Sequence, residues 1–532
     1  MNLYYLLNET RREQENSAGI DYTPAYFPAL LAQLGAEGHA CTLAEVANLT
    51  ENDVLLANTD DLSNQAEGAY ARVLLCGGEV RREPGIVGHL LFDEERIPLF
   101  APLREGTLDG EVLYSGGNAE GQKMPAVVRQ NARSYEFRFD LCATVWFSGD
   151  GFSDGEPKNG FFIGRIPDTR PVPAGMYSNK PYNDHLLMIL EDILLSLGVP
   201  LLYRLPLTED GSVPDFALHI SGDDDHTSAA FNLNGARVMH DLGLYYHVNA
   251  MPSGESFIIT PAQREEMAAL GCELALHTDF WKRPYSLEGQ LDSVRVYRDY
   301  FGVEPMTNVN HCLIQGGMTA PRLRWLEKSG IIADNSKLGE INPANINAFN
   351  LCGFGFGTSF PRYTCDDAEH GNALICCMEI PLNYYEPRLG GQYTDPDQIL
   401  QYIDGAAEDG RIAQFFIHPH YLAPSNPNTA WSTAAVKLAK KHWTEMGYTV
   451  CLTSTNRIAL FWQARRNATI CAVPEGISVT CTVPTALVLP EAAERVLVDG
   501  EECTTVTRTV TGRTRTLAVL TQPGTHRIEY IR

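Results

Sequence analysis

The chain has 532 residues, 44% of them apolar, and carries 41 basic against 66 acidic side chains, a formal net charge of −25. That length suggests about three domains of roughly 150 residues each, and the acidic excess, opposed by no Lys/Arg cluster, repels nucleic acid and anionic membrane. No run approaches the roughly 18 apolar residues of a membrane helix, and Met1-Asn2-Leu3-Tyr4-Tyr5 opens without basic residues or a long apolar region, so a cytoplasmic protein lacking a signal peptide is expected.

Residues 1–145 read as a separate α/β unit. Leu3 to Leu7 predicts a strand, Thr23-Pro24 begins a helix that ends before Gly35, Val54 to Ala57 predicts a second strand, and Arg72 to Gly78 a third. The pattern resembles the class I glutamine amidotransferase-like fold. That family's nucleophile needs Gly-x-Cys-x-Gly at a strand-to-helix elbow, whereas Leu74 takes the first glycine's place before Cys76 and no His-x-Glu follows. The unit is therefore expected to be non-catalytic, and to pack, dimerise into a homo-oligomer or shape a cleft. Residues 146–205 form a connecting segment. Within it Asp184 to Leu197 reads as an amphipathic helix, with Leu186, Leu187, Leu190, Ile193, Leu194 and Leu197 on one face as glue between domains and Gly198 stopping it.

The chemistry concentrates in residues 206–465. Phe216, Leu218 and Ile220 alternate as a buried strand does, and the run ends in Ser221-Gly222-Asp223-Asp224-Asp225-His226. Adjacent carboxylates repel unless a cation or a shared proton relieves them. Taken alone they could be a solvated turn capping the next helix. But His277, His311 and His418 each stand just after another strand-like run. Thr260-Pro261-Ala262-Gln263 reads as a capping box opening the helix before Gly271, and Leu274 to Leu276 then lead into His277. A lone histidine is more often structural than a ligand. Four strand ends of a repeating β/α pattern delivering Asp or His point instead to one hydrolytic metal centre.

These motifs resemble the polysaccharide deacetylase (NodB-homology) family, over about Asp215 to Leu460. Its fold is a distorted β/α barrel. The family opens with Thr-Phe-Asp-Asp-Gly, first Asp the general base and second Asp a metal ligand. The resemblance thus implies Asp223 as base and Asp224 as ligand, with the slipped register Asp224 and Asp225 left open. Gly271-Cys272-Glu273-Leu274-Ala275-Leu276-His277-Thr278 matches the first half of the family's His-Ser/Thr-x-x-His motif and implies His277 as ligand. Phe416-Ile417-His418 takes the place of Leu-x-His and implies His418 as catalytic acid; His420 could join it only if Pro419 breaks the strand alternation.

Two departures stand out. The family's second ligand histidine falls at Trp281, which has no lone pair to offer. The family's Arg-x-Pro-Tyr motif is absent near 305–315, where His311 stands instead. His311, Asp279 and Asp225 are the candidates for the missing ligand; His311 is the expected one, with hydrogen bonding to Asp223 as its other role. The resemblance implies a divalent metal, zinc being the expected ion, and hydrolysis of an amide C–N bond, that is, deacetylation of an N-acylated sugar or glycan. Water activated by the metal would lose its proton to Asp223, and His418 would protonate the departing amine. Neighbouring carboxylates do not suit glycoside hydrolysis, which places its pair across a sugar. The alternative is a catalytically idle deacetylase-fold protein that binds carbohydrate or a protein partner.

Residues 466–532 change character. Ile477 to Val483, Ala486 to Leu489, Arg495 to Val498, Thr505 to Val510, Thr516 to Leu520 and His526 to Ile531 predict short strands separated by turns such as Asp499-Gly500 and Pro523-Gly524. A small β-sandwich is expected, as a structural appendage. The 13 cysteines are odd in number and form no C-x-x-C pair, so no zinc knuckle is indicated.

Overall fold

The structure is a computed structural model that describes residues 1–17, 26–62, 68–76, 86–106, 109–150, 180–225, 227–314, 319–338, 349–354, 356–473, 476–490 and 495–531. The helix start at Thr23-Pro24 and the glycines after Cys76 lie outside those residues. The chain is mixed α/β, and no helix among the described residues is long and apolar enough to cross a membrane.

In the N-terminal sheet, His39–Cys41, Asn2–Leu6, Asp53–Asn58, Ala71–Cys76 and Ser134–Phe137 run parallel in that spatial order. Four antiparallel strands, from Lys123–Asn131 across to Glu95–Leu99, extend it. Helix Phe27–Leu34 ends at Gly35, whose φ of 71° is the left-handed cap that glycine takes without strain.

The central unit is a curled, mainly parallel sheet with helices outside it. Ile412–Phe416, Phe216–Asp223, Tyr246–Ala250, Cys272–Thr278, Thr307–Asn310 and Ala333–Asp334 follow one another around it. The segment 378–385 then leaves Ala333–Asp334, bridges Leu338 at Leu382 and pairs Tyr385 with Phe416, which brings the path back to its first strand. Strand pleat sorts the side chains. Phe216, Leu218 and Ile220 pack outward with Val248, Leu276 and helix residues Ala236 and Met239 in one apolar core. The alternate residues point inward, where His219 meets Thr455 and Ser221 meets Gln414. His219 and Ser221 thus place polar groups in the interior beneath Asp223.

Helix Tyr182–Ser196 differs from the one-sided amphipath read in the sequence. It is buried almost all round, Asn183, Asp184 and His185 included. Its polar residues are therefore held by partners and not by water: Asp184 accepts hydrogen bonds from Thr358 and Ser359. At the C-terminus two antiparallel sheets share a small core containing Leu487, Ala518, Val479 and Ile528. One of them recruits Leu201–Leu202 from ahead of the curled sheet, pairing it with Thr485–Val488.

Candidate functional site

The site forms at the carboxyl ends of the parallel strands, where α/β barrels carry their chemistry. Asp223 ends its strand pointing inward. Its register partner across the pair is Asn249, whose Nδ2 donates to Asp223 Oδ1 at 2.9 Å. By the same alternation Asp224 falls on the outer face. There its Oδ1 accepts the Met251 amide at 3.1 Å, and Oδ2 is buried without a partner. Asp225 has φ 38°, a left-handed turn uncommon outside glycine, which swings its carboxylate back over the mouth. The pleat and that turn, together, make Asp223 and Asp225 the inward pair, and Asp224, the ligand implied by the resemblance, the outward residue between them.

Three imidazoles meet that pair. His277 ends the strand Cys272–Thr278, in register with Val309, and its Nδ1 donates to Val309 O at 2.9 Å. His311 follows Thr307–Asn310, and its Nδ1 donates to Asp279 Oδ1 at 3.1 Å. His418 follows Ile412–Phe416; both its amide and its Nδ1 donate to Glu386 Oε1. Every acceptor lies outside the cluster. The tautomers are thereby set, and all three Nε2 atoms are turned toward Asp225.

The separations suit a metal. His277 Nε2 lies 3.2 Å from Asp225 Oδ1 and 3.4 Å from Asp223 Oδ2. His311 Nε2 is 3.8 Å from Asp225 Oδ1, and His418 Nε2 is 2.9 Å from Asp225 Oδ2. Donor atoms about 2.0–2.1 Å from a tetrahedral zinc stand roughly 3.3 Å apart. Ligand atoms of Asp223, Asp225 and His418 also lie within 4.8 Å of one another. The residues present thus fit a divalent ion in type and in their convergence on Asp225, the closest-set ligand atoms being those of Asp223, Asp225 and His418, with His277 and His311 approaching Asp225 Oδ1. Trp281 supplies none of them: it is 49% exposed, and its amide donates to Asp279 Oδ1, the oxygen that also holds His311.

The electrostatics follow from burial opposed by charge. Burial would lower His277, but Asp223 and Asp225 raise it; His311 is raised to about 10 by Asp279, Cys312 and Asp225 against the same penalty. His418 is held well above its ordinary value, burial being outweighed by Tyr385, Asp225 and Glu386. Asp225 lies well below the usual carboxylate range: burial would raise it, but hydrogen bonds from His277 and His418 prevail. Asp224 is pushed up to about 7 by burial, against the opposing pull of His277 and of the Met251 amide.

Glu386 was not foreseen. It follows a two-residue strand, Tyr384–Tyr385, at φ 49°, and nothing in Tyr-Tyr-Glu-Pro marks it as a histidine's partner. Asn249 was missed for want of register. Pro419 does break the strand: it opens the short helix Pro419–Leu422, which brings the His420 ring within 5.7 Å of His418.

No family model matches the sequence, and no curated protein matches it. Among solved structures, the chain is similar to the Xyl-CE4 domain of a multidomain xylanase from the hindgut metagenome of Trinervitermes trinervoides, at 12% identity over 46% of this chain and 89% of that one, with a TM-score of 0.23. A putative glycoside hydrolase/deacetylase from Parabacteroides distasonis matches at 10% identity over 54% and 82%, TM-score 0.34. A family 4 acetyl xylan esterase from Clostridium thermocellum, in complex with a cobalt ion, matches at 11% over 46% and 91%, TM-score 0.25. Likenesses of this size leave the functional weight on the site itself.

Proposed function

We propose that the chain is a metal-dependent amide hydrolase that removes the acyl group from an N-acylated sugar or glycan. One observation carries this reading: three imidazoles, each tied at Nδ1 to an acceptor outside the cluster, turn Nε2 toward two inward carboxylates at spacings suited to a divalent ion. Asp225, His277 and His311 are the residues that would hold the ion, zinc being the best match to this donor set. When bound, such an ion supplies Lewis acidity toward the acyl oxygen and makes a neighbouring water easier to deprotonate.

The chain's own residues do the rest. Asp223 Oδ1 is engaged by Asn249, which leaves Oδ2 to take the proton of the attacking water. Water oxygen joins the acyl carbon as the C–N bond breaks. His418, kept protonated by its carboxylate neighbours, gives its Nε2 proton to the departing nitrogen, so that a carboxylic acid and a free amine result. Glu386 fixes the imidazole's orientation from behind. The test is acetate release from N-acetylated oligosaccharides by zinc-loaded protein. Turnover lost in Asp223→Asn with the metal retained supports the assignment. No release from any N-acetyl sugar by fully loaded protein would overturn it in favour of an idle, glycan-binding barrel.

A further inference from the structure

One buried cation beside the site lacks a counter-charge. Arg388 follows Glu386 by two residues and is 7% exposed. Its guanidinium carbon lies 3.2 Å from the Phe349 ring centre and 4.0 Å from that of Tyr421, two rings that meet at 88° with centres 5.6 Å apart and so wrap it on adjacent sides. Its edge is not provided for. Nε and Nη2 are buried and make no hydrogen bond, and no ion pair reaches the guanidinium from a described residue. The free oxygen of Glu386, itself unpartnered, forms no pair with it. A desolvated, uncompensated guanidinium is costly. In a chain of net charge −25, a shortage of acids does not explain it.

Nε–H and Nη2–H point in parallel along one edge of the guanidinium, the geometry that grips a carboxylate through two hydrogen bonds. A second orphan shares the wall: His420 Nδ1 is buried without a partner, its ring 3.9 Å from Tyr421 and 5.7 Å from His418. We propose that Arg388, with His420 beside it, recognises a carboxylate carried by the substrate, so that the N-acylated glycan is an acidic one. The inference rests on the glycan reading above. The edge is closed in the unliganded chain, and the ligand reaches it by turning one flanking ring outward; Phe349 and Tyr421 are each only partly buried. Aromatic packing holds the guanidinium in place meanwhile, which lowers the ordering cost of binding.

The test uses the full, zinc-loaded chain in two arms. In the binding arm, glucuronate, inorganic phosphate and glucose are titrated against wild type, Arg388→Gln and Arg388→Lys, with folding checked by circular dichroism. Glucuronate should bind, glucose should not, Arg388→Gln should weaken glucuronate at least tenfold, and Arg388→Lys should keep part of the affinity. Phosphate binding more tightly than glucuronate would overturn the carboxylate assignment. In the turnover arm, kcat/KM is compared for an N-acetylated oligosaccharide with and without a uronic acid. Arg388→Gln should reduce the preference for the acidic substrate at least tenfold. Equal losses on both substrates, with the alkaline limb of both pH profiles displaced, would reduce Arg388 to a support of Glu386 and His418. Glucuronate binding through Arg388 without hydrolysis of either substrate would sink the amidase reading and leave the subsite standing.

Discussion

Three imidazoles pinned at the same ring nitrogen make the chemistry depend on which aspartate completes the set. Asp224 is turned to the outer face and bonded to Met251, whereas Asp225 touches the Nε2 side of all three rings. Asp225→Asn should therefore weaken zinc binding by two orders of magnitude or more, while Asp224→Asn keeps zinc; equal loss in both, by titration of apo-protein, would restore Asp224 as a ligand. Uptake must also expel protons. His277 and His311 are held above their ordinary values in the metal-free site, His311 up to about 10, and an imidazolium has no lone pair to give. Apparent zinc affinity should accordingly rise between pH 6 and pH 8. A flat dependence would show that these rings do not bind the ion.

At the scale of elements, strand pleat decides both what could be read in the sequence and what could not. Alternation of Phe216, Leu218 and Ile220 marks the strand, and continuing it four residues further already sorts Asp223 inward and Asp224 outward. The left-handed turn that returns Asp225 to the mouth is not written in the residue type. His277 and His418 were legible because each ends an apolar run; Glu386 and Arg388 follow a strand of only two residues and owe their places to the closing of the sheet. Helix Tyr182–Ser196 shows the opposite error, since a leucine-rich stripe hides that its polar side is buried too. That burial has a pH signature. Asp184 is raised to about 6 by burial, against hydrogen bonds from Thr358 and Ser359. Because the folded value exceeds the unfolded one, the native state binds more protons between about pH 4 and pH 6, and stability falls as pH rises through that window. A two-unit difference is worth about 3 kcal/mol at most. Asp184→Asn should remove that part of the slope in denaturant unfolding measured from pH 4 to pH 7; an unchanged slope would mean that Asp184 ionises as freely in the fold as in the open chain.

Over the whole molecule, the three units share their interior. One apolar core runs from Leu3, Phe27 and Val54 of the N-terminal sheet through Leu186 and Leu190 of the buried helix to Ala217 and Ile412 of the curled sheet and Val488 and Leu517 of the C-terminal one. Arg465 ties this junction by hydrogen bonds. Its Nη1 donates to the carbonyls of Ala32 and Gln33, at the end of helix Phe27–Leu34, at 3.0 and 3.1 Å; Nε and Nη2 donate to Tyr203 and Leu202 at 3.0 and 2.9 Å. The guanidinium also stacks 4.6 Å from the Trp462 ring centre, and Gly35 passes so close that a Cβ there would lie 2.4 Å from Nη2. A positive charge at that helix end opposes the negative end of its dipole. Removing the side chain leaves four carbonyls unmet in a buried place, a loss of about 3–4 kcal/mol when charge-assisted bonds of this kind are lost together. Lysine cannot span both pairs, since one ammonium replaces a planar fork. A shared core predicts one cooperative unfolding transition for the wild type, followed alike by far-ultraviolet circular dichroism and tryptophan fluorescence. Arg465→Ala should lower that transition by several degrees or split off the N-terminal unit as an earlier step, and Arg465→Lys should recover only part of the loss. Two separate transitions in the wild type, with the earlier one indifferent to Arg465, would mean that the units fold independently and that this arginine binds them only after each is formed.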